Sequence, residues 1–490
     1  MTKSHNYLAI DLGAESGRTI VGTLADGKLS LSETHRFPNT PLKRADGLHW
    51  NVEQLWNDIK AGIRISASQF PLTSLGLDTW GVDFALMDAN GALLDLPFHY
   101  RDERTDGILE EAFNRVPREQ IFAQTGIQFM QINSLYQLLA MRLKNPALLE
   151  ASQTFLTIPD LFNNWLSGKT ACEFTLATTT QCYDPLRRDW AWPLLEKLDI
   201  PARLFKPVSQ PGTVLGNLLA EVAEETGAKA IPVIAPACHD TGSAVVAVPA
   251  RNKDFAWISS GTWSIMGCEA NEPAMDERAL AYNFTNEGGV FGTWRLSKNI
   301  IGLWLVQECR RTWQAEGEAL SYDEITRLAA EARPFLAVID PDDTSFLHPG
   351  NMPERIRQYC TRSGQAVPKT NGEIVRVALE SIALKYRLVL ERLEEVTGKH
   401  FNPLHIIGGG TKNRLLNQFS ADCTGRNVVS GPIEATAIGN VLMQAISLGH
   451  LDSLAAARDV VRASFTPETY QPRSSKGWEQ AYAILQKVTK

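Results

Sequence analysis

Three short stretches carry side chains whose types and spacing suit chemistry. In "IPVIAPACHDTGSAVVAV" an apolar run, 231–237, ends in Cys238-His239-Asp240-Thr241-Gly242 before small residues resume. An acid at a strand end, followed by Gly242 and Ser243, suits a helix N-terminus that meets a phosphate while the acid takes a proton from a hydroxyl. The plainer alternative is an aspartate that caps the helix. In "YLAIDLGAESGRTIVG", 7–22, Asp11, Glu15, Ser16 and Arg18 gather at the tip of a glycine-bounded hairpin. Backbone N–H groups of such a turn can line an anion site, Ser16 and Arg18 add donors, and Asp11 is the kind of ligand Mg²⁺ takes beside phosphates; the alternative is a solvated turn. The glycines at 13 and 17 do not make a G-x-G-x-x-G fingerprint, and a strand rather than a helix follows. In "IIGGGTKN", 406–413, three glycines between a strand and a helix imply close approach of the backbone to something bulky. "ISSGTW", 258–263, is a second polar hairpin turn of the first type. "SGKT", 167–170, is not a P-loop, because Asn163 stands where the first glycine belongs; it reads as the end of a helix with Lys169 in solvent.

The elements that must position these residues alternate between strand and helix. Tyr7–Ile10, Thr19–Leu24 and Leu29–Phe37 read as strands, with a tight turn at Asp26-Gly27. Asn51 caps a helix whose Val52, Leu55, Ile59 and Ile63 share one face. Strands follow from Ser74 and from Val82. The second half repeats the alternation: a strand–turn–strand at "FAWISSGTWSIMGCE", a long helix at "GEIVRVALESIALKYRLVLERLEEVTG" stopped by Gly398, then strand, glycine turn and helix. The seam falls at Val248–Phe255, a cluster of Pro, Arg, Asn, Lys and Asp that divides an N-terminal lobe, 1–247, from a C-terminal lobe, 248–490. Two glycine hairpins and a strand–glycine–helix unit together indicate a nucleotide held between two similar lobes.

At 490 residues the chain is too long for one core. Its 44% hydrophobic and 21% charged content is that of an ordinary globular protein, and a net charge of −7 argues against broad nucleic-acid binding. No apolar run approaches the roughly 20 residues a membrane span needs, so no membrane partner is expected. Seven scattered cysteines without a Cys-x-x-Cys pair suggest reduced thiols in a cytoplasm.

Taken together, "AIDLGAESGR", "GLDTWGVDF", "HDTGSA", "SSGTWS" and "HIIGGGTKN" resemble the FGGY carbohydrate kinases, within the actin and heat-shock-chaperone ATPase superfamily, over residues 7 to 450. The resemblance implies an α/β fold of two actin-like, ribonuclease-H-like lobes, each a five-stranded mixed sheet with helices on both faces, closing over ATP and a sugar. It implies ATP-dependent, Mg²⁺-assisted transfer to the primary C1 hydroxyl of a ketose, L-rhamnulose first, with L-fuculose, a ketopentose or a polyol as alternatives. Residue by residue it implies that Ala14, Glu15, Ser16, Gly17 and Arg18 form the first phosphate loop, with Asp11 toward the metal. Thr262, Gln307 and Gly409 would meet the nucleotide. Gly81, Asp83, His239, Asp240, Thr241 and Asn299 would meet the sugar, Asp240 as the catalytic base. Trp80 and Phe84 flank the sugar motif as candidates to meet the methyl group of a 6-deoxy sugar. Glu15 stands where such kinases usually carry a small or hydroxylated residue, and a carboxylate beside phosphates needs compensation from Mg²⁺ or Arg18.

Overall fold

A computed structural model describes residues 4–473 and 476–489. The strands that frame the candidate site are β1 (His5–Leu12), β2 (Ser16–Ala25), β3 (Lys28–Pro38), β4 (Leu72–Thr79), β5 (Thr213–Asn217), β6 (Pro232–Ala235), β7 (Ala256–Ser260), β8 (Trp263–Ala270), β9 (Thr285–Gly288), β10 (Trp294–Ile301), β11 (Leu404–Ile407), β12 (Val428–Ser430) and β13 (Glu468–Tyr470). The chain divides into two compact units. One holds the chain up to Pro249 together with Glu269–Leu296 and Ala435–Phe465; the other holds Ala250–Cys268, Ser297–Glu434 and the chain from Thr466 on. The first segment ends inside the expected seam, but two later segments return to the first unit.

In the first unit the sheet runs β5–β6–β4–β1–β2–β3. β1, β4 and β6 are parallel, while β2, β3 and β5 extend the sheet antiparallel at its two sides. The parallel strands are buried along nearly their whole length because both faces are covered. One cover is the Val52–Gln69 helix, capped by the Asn51 side chain as its sequence indicates. Another is the Ala435–Ser447 helix, which lies close against the sheet because glycine stands opposite it. A Cβ on Gly22 would meet Val441 at 2.7 Å, and one on Gly76 would meet Asn440 Oδ1 at 2.6 Å.

The second unit repeats the plan. Its order is β10–β8–β7–β11–β12–β13; the inner five strands follow the order β3–β2–β1–β4–β6 of the first sheet, while the edge strand β13 comes after its neighbour in the chain where β5 comes before, and β7, β11 and β12 are again parallel neighbours. β8 and β10 run on into the first unit, where β9 is the neighbour of β10. The central helix of this unit, Asn371–Thr397, starts in a Thr370/Glu373 capping box and ends at Gly398 in the left-handed conformation. Setting β9 aside, each main sheet therefore has six strands among the described residues rather than the expected five. The addition is an antiparallel edge strand, β5 or β13, that covers the open side of a parallel strand. Among the described residues no helix is long and apolar enough to cross a membrane. All seven cysteines are buried and unpaired as disulfides.

Candidate active site

In open α/β sheets, ligands meet the carboxyl ends of the parallel strands. β1, β4 and β6 of the first unit all end in acids or lead directly into one. Asp11 and Asp78 are directly opposed across β1 and β4, and Asp11 is opposed on its other side to Arg18 of β2. Chain 238–240 follows β6 and joins the same row: Thr79 donates its N–H to Cys238 O at 2.9 Å, and Thr79 bridges His239. Three carboxylates, Asp11, Asp78 and Asp240, thus gather here, close enough that the Asp11 charge raises the pKa of both Asp78 and Asp240.

Their environments differ. Asp11 takes two N–H bonds from Arg18, at 2.7 and 3.0 Å. Asp78 is fully buried; burial, then the Asp11 charge, pushes its pKa well above the ordinary carboxylate value. Asn440 donates to Asp78 Oδ2 at 2.6 Å, while Oδ1 has no partner among the described residues. Asp240 keeps 32% of its side chain exposed. Its pKa is raised, first by burial and then by Asp11, against the stabilising effect of His239 and of the Thr241 N–H and hydroxyl. Asp240 is the first residue of the Asp240–Val246 helix and not its cap; that place is taken by His239, whose side chain caps nothing.

This helix is held by buried partners the sequence did not reveal. Glu173 accepts from Cys238 N at 3.3 Å and from Thr175 Oγ1 at 2.5 Å, and Thr175 Oγ1 in turn accepts from His239 N at 3.0 Å. Burial pushes Glu173 to about 8. On the other side Gly439 crosses the helix backbone so closely that a Cβ would lie 1.8 Å from Ser243 O. His239 Nδ1 lies 2.9 Å from Arg295 and 3.2 Å from Glu287, both buried. The motifs singled out in the sequence contain none of Glu173, Glu287, Arg295 or Asn440; Asp78 lies inside "GLDTWGVDF", and the run it ends is the signal that could have drawn attention to it.

Gly81 is presented to His239 by a strained turn. Asp83 N bonds Gly81 O at 2.9 Å, and Val82 between them has φ of 68°, a conformation rare for a β-branched residue. Val82 O is anchored by Ser134 Oγ at 2.5 Å. Asp83 itself is fully buried, accepting from Trp50 Nε1, Trp80 Nε1, Gln137 Nε2 and Tyr100 N at 2.5, 2.9, 2.9 and 3.2 Å. Burial raises its pKa to about 6 despite those donors. Its carboxylate faces the tryptophans rather than an open surface, so it supports the Gly81 turn from beneath. Phe84 stacks on Phe155 in the core and does not front the site; Trp80 is 6% exposed.

The 13–16 loop is fixed by Asn39, which donates its side-chain amide to Gly13 O and its backbone N–H to Glu15 O at 2.9 and 3.0 Å. Ala14 and Ser16 are half-buried and Glu15 is exposed. Arg18 is turned to Asp11, and Gly17 is required inside the sheet, where a Cβ would enter the Phe37 ring at 2.2 Å. In the second unit Thr262 forms the β7–β8 turn, its carbonyl accepting from Gly302 N and Trp304 N at 3.2 and 3.1 Å. Asn299 lies half-buried in β10. Gln307, on the Trp304–Ala315 helix, has a buried Oε1 with no partner among the described residues. The three glycines do different work: Gly408 has φ of 86°, a Cβ on Gly410 would collide with Ser260 Oγ at 2.0 Å, and a Cβ on Gly409 would meet nothing within 4 Å.

Among the described residues no group of three or more His, Cys, Asp or Glu side chains could hold a metal ion. Mg²⁺ does not ask for one: it is held by one or two carboxylates together with substrate phosphates and waters. Asp11, beside the unsatisfied Asp78 Oδ1, fits that requirement.

Residues 6–247 match the N-terminal domain of the FGGY family of carbohydrate kinases, and residues 256–448 match its C-terminal domain. The chain is 44% identical over 478 residues to the rhamnulokinase of Bacteroides thetaiotaomicron, covering 97% of this chain and 98% of that one. It is 41% identical over 471 residues to the rhamnulokinase of Oceanobacillus iheyensis, covering 96% and 99%. Its fold is that of a ligand-bound xylulose kinase from Lactobacillus acidophilus, with a TM-score of 0.82 at 15% identity over 99% of this chain and 97% of that one. It is also that of Plasmodium falciparum glycerol kinase with ADP, with a TM-score of 0.78 at 15% identity over 99% and 97%. Two matching domains and full-length relatives lead to one conclusion: the chain belongs to the FGGY family of carbohydrate kinases.

Proposed function

We propose that the protein transfers the γ-phosphate of ATP to the C1 hydroxyl of L-rhamnulose, giving L-rhamnulose 1-phosphate and ADP. The observation that carries this reading is the Asp240 carboxylate, half-open and with a raised pKa, at the carboxyl ends of three parallel strands, in a chain 44% identical to a rhamnulokinase. Asp240 accepts the hydroxyl proton as the C1 oxygen attacks phosphorus. His239, Thr241, Gly81 and Asn299 meet the sugar, and Asp83 supports the Gly81 turn. The first unit thus carries the sugar and the first phosphate loop, the second the nucleotide.

Phosphoryl transfer passes through a loose transition state with charge on the equatorial oxygens, so positioning and charge neutralisation dominate. The 14–17 loop, set by Asn39, and the Thr262 turn are the backbone donors for the phosphates. Arg18 acts through Asp11, fixing its carboxylate. Mg²⁺, held by Asp11 and the phosphates, supplies charge neutralisation when bound. Gln307, with its unsatisfied Oε1, and Gly409, with open space over its Cα, are the nucleotide contacts.

A coupled ADP assay across ketoses and polyols tests the substrate. L-rhamnulose should give the highest kcat/KM; ketopentoses, which lack the methyl group, should still react more slowly, since a methyl group discriminates by only about 1–3 kcal/mol, and L-fuculose, which keeps it, tests recognition of the hydroxyl configuration. A higher kcat/KM for xylulose or glycerol overturns the assignment.

A further inference from the structure

His239 is gripped from behind by two charged residues to which the mechanism above gives no part. The fully buried Arg295 guanidinium places Nη2 2.9 Å from His239 Nδ1. The same Nη2 lies 3.0 Å from Glu287 Oε2, which is itself 3.2 Å from Nδ1. A further Arg295 nitrogen, Nε, donates to Gly288 O at 2.8 Å, which fixes the plane of the guanidinium. Arginine carries N–H donors and no acceptor. Its bond to Nδ1 therefore uses the lone pair of that nitrogen. A neutral imidazole has one N–H, so the proton must sit on Nε2. Nε2 is the ring atom that faces outward: it lies 3.4 Å from Asp240 Oδ1, and a Cβ on Gly81 would sit 3.3 Å from it.

Glu287 alone would favour the opposite tautomer by accepting Nδ1–H. Burial works against its charge, but the Arg295 guanidinium, then His239 and Thr285, together hold the Glu287 pKa below the ordinary value. Arg295 Nη2 approaches Nδ1 to 2.9 Å, closer than Glu287 Oε2 at 3.2 Å, so Nδ1 is left as an acceptor.

We infer that Arg295 and Glu287 are positioning residues that lock His239 as its Nε2–H tautomer, so that the ring offers the sugar a hydrogen-bond donor beside Asp240. The pocket then selects substrates with an acceptor oxygen at that place, as the carbonyl of an open-chain ketose provides. This rests on the reading of the Asp240 neighbourhood as the sugar site.

The test is a long-range ¹H–¹⁵N spectrum of the full chain labelled on histidine, at pH 8, with the His239 signals assigned by their loss in His239→Gln. The expected result is a protonated Nε2 and an unprotonated Nδ1. A protonated Nδ1, or protons on both nitrogens, overturns the inference. Arg295→Gln removes the cation and frees Glu287 to accept from Nδ1. In that variant the tautomer should invert and the sugar KM should rise about ten-fold, the scale of one lost hydrogen bond, while the ATP KM stays near its original value. Arg295→Lys, which keeps a cationic donor, should restore the Nε2–H form. An unchanged spectrum in a folded Arg295→Gln also overturns the inference. If Arg295→Gln does not fold, the wild-type spectrum decides alone. Absence of sugar-dependent ADP formation would instead sink the proposed reaction and leave the tautomer standing.

Discussion

At Asp240, burial and the neighbouring Asp11 charge favour the protonated acid, while His239 and Thr241 favour the carboxylate. The balance leaves a stronger base than a solvated aspartate, as a proton acceptor requires. Asparagine keeps the shape and cannot take the proton. Because Asp240 is the first helical residue and not the cap, Asp240→Asn leaves the helix start intact. We expect kcat to fall by about 10²–10⁴-fold with little change in melting temperature or in either KM. A folded mutant with near-normal kcat would leave Asp240 a structural residue. In the wild type the base works only when deprotonated, so kcat falls as pH drops through the Asp240 pKa. That limb lies above the ordinary value of 3.8 and should be missing from the residual activity of the mutant. The sequence exposed Asp240 because it ends an apolar run before a small-residue helix. Asp78 ends a similar run, yet its meaning depends on Asn440, 362 residues away, and on register with Asp11, which no local pattern records.

Among the elements, the strand–glycine–helix unit at 404–424 was legible as a unit, but the division of labour inside it was not. Close approach was expected of all three glycines; the structure finds the approach at Gly410, against Ser260 of β7, and leaves open space at Gly409. Two variants one residue apart therefore separate packing from binding. Gly410→Val pushes into β7 and should lower stability by about 1–3 kcal/mol or more, the cost of overpacking. Gly409→Val should fold normally and raise the KM for ATP more than the KM for sugar. Calorimetric titration of both ligands, with a thermal melt beside it, checks the pair. Equal losses for ATP and sugar at Gly409→Val would show that this glycine has no special relation to the nucleotide. In the first glycine hairpin the sequence did not reveal the further work of two residues: Gly17 makes room for Phe37 and Arg18 holds Asp11, both consequences of strand pairing.

For the molecule as a whole, the alternation of strands and helices on either side of 248–255 was enough to indicate two similar α/β units. The shared order of the inner five strands of the two main sheets is its physical counterpart. What contiguous reading missed is that Glu269–Leu296 and Ala435–Phe465 return to the first unit. Those two segments bring Glu287 and Arg295 to His239, and Asn440 and Gly439 to Asp78 and the Asp240 helix. The candidate site is therefore built from distant parts of the chain, and only the parts with glycine and acid punctuation announced themselves. The central claim is that this assembly phosphorylates a ketose at C1. It is tested most directly by incubating the protein with ATP, Mg²⁺ and L-rhamnulose while ADP is counted and the product is followed by ³¹P and ¹³C NMR. The account predicts one ADP for each new phosphomonoester, the phosphorus coupled to C1, and little ADP without sugar. ADP released at the same rate without sugar, or phosphate on another carbon, would contradict it.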